Sequence, residues 1–173
     1  MRVLVTGAGG AVGSRLVPQL VGRGHLVTAT TRSPAKLDRL RAMGAAPVLL
    51  DGLDGAAVGE VVARAEPEAI IHEMTSLSAA PDLRHFDRWF GATNALRTKG
   101  TEHLLAAAKA TGVKRLVAHS YTGWNNERSG GPHEEELANP WLDDACCTQQ
   151  GATGLCNRRR EIGEPDVAPG TIG

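Results

Sequence analysis

Apolar residues in the first 120 positions switch repeatedly between a strand-like and a helix-like period. Short aliphatic or β-branched runs at Val3–Thr6, Leu26–Thr30, Pro47–Leu50, Ala69–His72 and Arg115–His119 predict strands. Ala11–Val21 sets Val12, Leu16, Leu20 and Val21 at helical spacing. Pro18 inside it lacks a backbone donor and is expected to kink the helix. Gly22 and Gly24 end that segment, and Pro34 suits the first turn of a helix running to about Ala42. Asp54–Ala65 reads as helix. A longer helical region covers about His85–Ala110, with Gly91 and Gly100 as candidate breaks and Gly112 as its end. Strict alternation of strand and helix predicts an α/β, doubly wound parallel sheet of about five strands. The strands are nearly continuous apolar runs, as a sheet covered on both faces requires.

Past Tyr121 the pattern fades. Residues 123–144 are polar, turn-rich and acidic, and residues 145–173 keep neither period. Leu155, Ile162, Val167 and Ile172 are too dispersed to bury a face. The expected organisation is a folded domain over 1–125 and an irregular, disordered tail over 126–173, with Asp143–Gly173 dispensable for the fold.

Composition narrows the function classes. Aromatic residues make up only 3% of the chain, so the core must be aliphatic. Nineteen basic and nineteen acidic residues cancel. No basic field marks a nucleic-acid or membrane surface, and Arg158–Arg160 read as solvated charge. Glu134–Glu136 read the same way. No run approaches the roughly 20 apolar residues of a membrane span, and no leader pattern opens the chain, so a cytoplasmic location is expected. Cys146, Cys147 and Cys156 are odd in number, lack a nearby histidine at zinc-finger spacing and read as incidental thiols. No metal site is expected.

Candidate chemistry begins with "VTGAGGAVG", directly behind the first strand. Gly7 suits a sharp turn out of the strand, Gly10 a close backbone approach to a pyrophosphate, and Gly13 close packing of the following helix. Helix-start N–H groups and the helix dipole favour phosphate there. Dinucleotide binders that take NAD usually carry an acid about 20 residues beyond the glycines. Here the second strand ends "TATTRS". Arg32 can instead pair with the extra phosphate of NADP, although an ordinary loop arginine would look the same. The cofactor expectation is NADP or NAD, with NADP favoured.

The segment Thr6–Gly13, Thr-Gly-x-x-Gly-x-x-Gly, resembles the cofactor loop of the short-chain dehydrogenases/reductases, and best their extended branch, the NAD-dependent epimerase/dehydratase family. "VLLDGLD" resembles that family's third-strand segment, "AIIHEMTSLS" its fourth-strand end, and "NALRTKGTEHLLAAAKATGVKRLVAHS" its long helix and fifth strand. The resemblance covers about residues 1–125. It implies a Rossmann-type fold and a cofactor site comprising Thr6, Gly7, Gly10, Ala11, Val12, Gly13, Arg32, Asp51, Gly52, Leu53, His72 and Asn94. Asp51 would approach the adenine and His72 would line the cleft. A small-molecule substrate is implied but not identified, and a homodimer follows by family analogy alone.

The family's chemistry uses a Ser/Thr hydroxyl, a tyrosine and a lysine four residues after that tyrosine. Ser120 and Thr122 lie where the hydroxyl belongs, or serve merely as strand-end hydrogen-bonding residues. Tyr121 is the only phenol. Four residues after it stands Asn125, and the last lysine is Lys114, so no Tyr-x-x-x-Lys occurs in these 173 residues. Glu73 beside His72 is too little for a metal site. His119 and Ser120 cannot form a hydrolase pair, because strand neighbours face opposite sides. Three readings stay open: an NADP-dependent reductase or epimerase-like protein, a dinucleotide-binding or sensor module without turnover, and a truncated or frame-shifted gene product.

Overall fold

A computed structural model describes residues 1–77 and 84–119. The expected tail over 126–173, with its cysteines and charge runs, lies outside the described residues, as do Ser120, Tyr121 and Thr122.

The elements keep the predicted order. They are β1 (Arg2–Thr6), α1 (Gly13–Gly22), β2 (Leu26–Thr31), α2 (Leu37–Ala42), β3 (Ala46–Leu49), α3 (Gly55–Ala65), β4 (Ala69–His72), α4 (Phe86–Thr111) and β5 (Arg115–Ala118). A single 3₁₀ turn, Pro34–Lys36, leads into α2 where one continuous helix is predicted. Such tighter turns are common at helix starts. Pro18 is accommodated within α1. Helix α4 runs through Gly91 and Gly100 without a break. A lone glycine costs a helix only about 1 kcal/mol relative to alanine. Packing offsets that: Leu96, Leu104, Ala107 and Ala108 of α4 are buried with Val58, Val61 and Val62 of α3. Gly112, at φ 74°, closes α4 as predicted.

The five strands form one all-parallel sheet in the order β3-β2-β1-β4-β5. Strand alternation divides the core between its two faces. Leu4 and Ile70 pack with α3 and α4, whereas Val3, Val5, Val27 and Ala29 pack with Val17 and Leu40 from α1 and α2. The chain order reverses direction across the sheet between β1 and β4. In open α/β sheets the crevice beyond the strand carboxyl ends at such a reversal is where ligands bind. Among the described residues, no helix is long and apolar enough to cross a membrane.

Candidate functional site: a dinucleotide cleft

The strand register builds the rim of the crevice. Thr6 pairs with His72, and His72 with Ala118. The next residues, Gly7, Glu73 and His119, therefore emerge side by side from β1, β4 and β5. The N–H of Glu73 donates to the Thr6 carbonyl at 2.9 Å, and the N–H of His119 donates to the His72 carbonyl at 3.1 Å. Each bond carries the ladder one step beyond the strands. A cleft of about 500 Å³ opens above this rim. The glycine loop lies at its centre, Thr31 to Lys36 on the β2 side, and Glu73 with His119 on the other.

Gly7 adopts φ 76°, and a Cβ there would stand 2.5 Å from the Glu73 carbonyl oxygen. Both the conformation and the close approach demand glycine. Gly13 is needed for a related reason, since a Cβ would lie 2.5 Å from the Ala8 Cα. The first turn of α1 thus packs onto the loop's own backbone. At Gly10 a Cβ would meet only the Gly7 carbonyl, at 3.2 Å, and otherwise enter the cleft. The loop is anchored at two points. The Ala8 N–H donates to the Thr30 carbonyl at 2.9 Å, and the Lys36 Nζ donates to the Gly9 carbonyl at 2.8 Å. Helix α1 carries no acidic residue in its first turn and no side-chain cap, which leaves its positive end to an outside anion.

Of the residues singled out from sequence, Gly7, Gly10, Ala11, Val12 and Arg32 line the cleft. Gly13 and Thr6 are buried and support the loop without facing the space. Asp51, Gly52 and Leu53 form the turn after β3. The Asp51 carboxylate accepts from the Leu53 N–H at 3.1 Å; the preceding Leu50 lines the cleft, as does Met74, whose side chain packs against Gly52. Asn94 is half-buried on α4.

His72 lies beneath the rim and is only 3% exposed. Its Nδ1 accepts from the Met74 N–H at 3.2 Å and lies 3.4 Å from Thr6 Oγ1. With Nδ1 accepting, Nε2 carries the proton and donates to the Leu96 carbonyl at 3.2 Å. Burial drives the imidazole pKa down to about 4, against the pull of the Leu96 carbonyl. His72 is thus a neutral clamp between β1, β4 and α4.

Sequence patterning alone does not reveal three cleft residues. Lys36 is a loop lysine until the fold brings it onto Gly9. Glu73 and His119 lie 46 positions apart, yet the Glu73 Oε2 is 3.3 Å from the His119 Nδ1. The Glu73 side chain is 12% exposed. Partial burial pushes its carboxyl above the usual range, while His119 and Arg97 pull it back. Their proximity depends on β4 and β5 being neighbours in register, the one cue being that each residue stands at the end of a predicted strand.

The residues present fit a dinucleotide. A glycine cradle that side chains would fill faces the cleft, a helix start points at it, and cations stand on one flank. Among the described residues, no group of three or more His, Cys, Asp or Glu could hold a metal ion.

Comparison with known proteins agrees. A family model described as NAD(P)H-binding matches residues 7–149. The chain is 45% identical over 120 residues to a 3-diazoavenalumate denitrifying reductase from a Streptomyces species, covering 69% of this chain and 38% of that protein. It is 36% identical over 132 residues to a 3β-hydroxysteroid dehydrogenase/Δ5→4-isomerase of Mycobacterium tuberculosis, covering 75% of this chain and 33% of that one. The chain therefore spans only a third to two-fifths of these relatives' length. Among solved structures it resembles the UDP-glucose 4-epimerase of Stenotrophomonas maltophila with bound NAD. The TM-score is 0.63 at 25% identity, over 79% of this chain and 41% of that one. A putative epimerase from Burkholderia cenocepacia gives a TM-score of 0.65 at 25% identity, over 89% and 48%. A five-stranded parallel sheet, a glycine loop at its reversal point and this family match lead to one assignment: the chain belongs to the NAD(P)H-binding family of Rossmann-fold proteins, within the extended short-chain dehydrogenases/reductases that include the NAD-dependent epimerases and dehydratases.

Proposed function

We propose that this chain is the cofactor-holding part of an oxidoreductase or epimerase-type protein, that it prefers NADP(H) to NAD(H), and that by itself it turns over little or no substrate. The carrying observation is the charge of the cleft beyond β2. Arg32 and Lys36 line that flank together with Thr31 and Ser33, and no carboxylate lines it among the described residues. An acid there would accept from the adenosine ribose hydroxyls of NAD and repel a 2′-phosphate. Two cations favour the phosphate. Lys36 already spans from this flank to the Gly9 carbonyl, so a cation sits where the loop and the β2 flank meet.

When bound, the nicotinamide supplies or accepts a hydride. The chain's own part is to bind and orient: the glycine loop and helix start take the pyrophosphate, and the sheet edge supports both halves of the ligand. Support for low turnover comes from the sequence, in which no tyrosine precedes a lysine by four residues.

Titration calorimetry with NADPH and NADH tests the preference. The expectation is micromolar NADPH binding. A charge-assisted phosphate contact contributes on the order of 1–3 kcal/mol, which corresponds to roughly a five- to 150-fold preference. Arg32→Ala should bring the two affinities together. Equal affinities in the unmodified chain, unchanged by Arg32→Ala, would overturn the reading.

A further inference from the structure

Glu73 is a carboxylate in a cleft built to receive an anion, and the family pattern assigns it no task. Its placement is rigid. Its N–H is bonded to the Thr6 carbonyl, and its own carbonyl packs against Gly7. Its Oε2 lies 3.3 Å from the His119 Nδ1, and both residues line the cleft.

Strand order gives the pair its meaning. Across the sheet, the cleft residues run from Arg32 after β2, through the glycine loop after β1, to Glu73 after β4 and His119 after β5. At the usual spacing, β2 to β5 spans about 14 Å. A dinucleotide has a linear order too: adenosine with its 2′-phosphate, pyrophosphate, second ribose, nicotinamide. On the reading that Arg32 takes the phosphate, on which this inference rests, the second ribose falls to the β4 side. On that side Glu73 is the carboxylate that lines the cleft among the described residues.

We propose that the Glu73 carboxylate, held in place by His119, is the acceptor for the hydroxyl pair of the nicotinamide-side ribose. An ionised carboxylate is an acceptor only, with two oxygens, and suits a vicinal diol. Hydrogen bonds to a charged acceptor are the stronger kind. His119 is a positioning residue: its Nδ1 contact keeps the carboxylate against the cleft wall.

Three ligands separate the parts of the site at about pH 8, well above the usual carboxylate range. They are NADPH, 2′-phospho-ADP-ribose (which keeps the second ribose but lacks nicotinamide) and 2′,5′-ADP (which lacks both). Calorimetry of Glu73→Gln should show NADPH and 2′-phospho-ADP-ribose weakened about tenfold or more. Affinity for 2′,5′-ADP should stay within about twofold, which also reports that the variant is folded. His119→Ala should weaken the first two ligands, and His119→Asn, which keeps a donor beside the carboxylate, should recover part of the loss. Unchanged NADPH affinity in Glu73→Gln would overturn the proposal. So would loss confined to NADPH, which would mean a nicotinamide contact, or loss shared equally by all three. If His119→Asn and His119→Ala behave alike, the positioning role falls. If the unmodified chain binds NADPH but not 2′,5′-ADP, the assignment of the phosphate to the Arg32 flank fails first and takes this one with it.

Discussion

The backbone carbonyl of Glu73 stands 2.5 Å from the point a Cβ on Gly7 would occupy. Gly24 has nearly the same backbone, φ 78° against 76°, but nothing lies within 4 Å of its Cβ position. The pair separates conformation from crowding. Gly24→Ala should cost only the left-handed backbone penalty, roughly 1–2 kcal/mol. Gly7→Ala should cost that plus roughly 1–3 kcal/mol for overpacking. Urea unfolding of the two variants measures the difference, and equal losses would mean that the loop moves away from β4 freely.

Gly10 should respond differently from Gly7. A Cβ there has one neighbour, at 3.2 Å, and the rest of a side chain would project into the cleft. Gly10→Val is expected to leave the melting temperature within a few degrees and to abolish NADPH binding. Unaltered affinity in a folded variant would remove the loop from the site.

His72 predicts a pH dependence of stability. Its pKa falls from the ordinary 6.5 to about 4 in the folded protein, chiefly through burial. Above pH 6.5 the imidazole is neutral whether the chain is folded or not, and the group contributes no slope. Below 6.5 the unfolded chain takes up the proton first, so stability falls as pH drops from 6.5 towards 4 and levels off beneath that. The total is about 3 kcal/mol. His72→Gln should flatten this part of the profile in urea unfolding measured across pH. A slope that survives the substitution would place its origin elsewhere.

Turnover is the fourth expectation. NADPH oxidation against a panel of aldehydes, ketones and nucleotide sugars should be very slow with this chain alone. Holding the reactants together leaves some acceleration. Without a tyrosine that precedes a lysine by four residues, the proton step is expected to lose a factor of roughly 10²–10⁴. Robust turnover abolished by Tyr121→Phe would show that Tyr121 acts as the acid with a cation from outside the missing motif.

Gly7 and Glu73 also divide what was legible in the chain before folding from what was not. The alternation of strands and helices, the helix stop at Gly112 and the sharp turn at Gly7 are local. Each depends on side-chain period or on one residue's backbone freedom, so the five-stranded sheet and the centre of the cleft could be read directly. Arg32, which in sequence looks the same as an ordinary loop arginine, directly follows β2 and lines the cleft. The fate of Gly100 was not legible, since α4 packs against α3 on both sides of it, through Leu96 and Leu104.

His72, Lys36, Glu73 and His119 belong to the other class. In sequence, His72 looked like a residue facing the cofactor. The register instead set it under the rim, where Thr6, Met74 and Leu96 close over it. Lys36 became part of the site only when the 3₁₀ turn after β2 came to rest beside the glycine loop. Glu73 and His119 became partners because β4 and β5 pair one residue short of them. Sequence by itself determined which segments are strands and helices and where the backbone must turn, because those depend on neighbours in the chain. Tertiary structure decided which side chains share the cleft and which titrating groups are shut away from water, because hydrogen bonding and desolvation depend on neighbours in space.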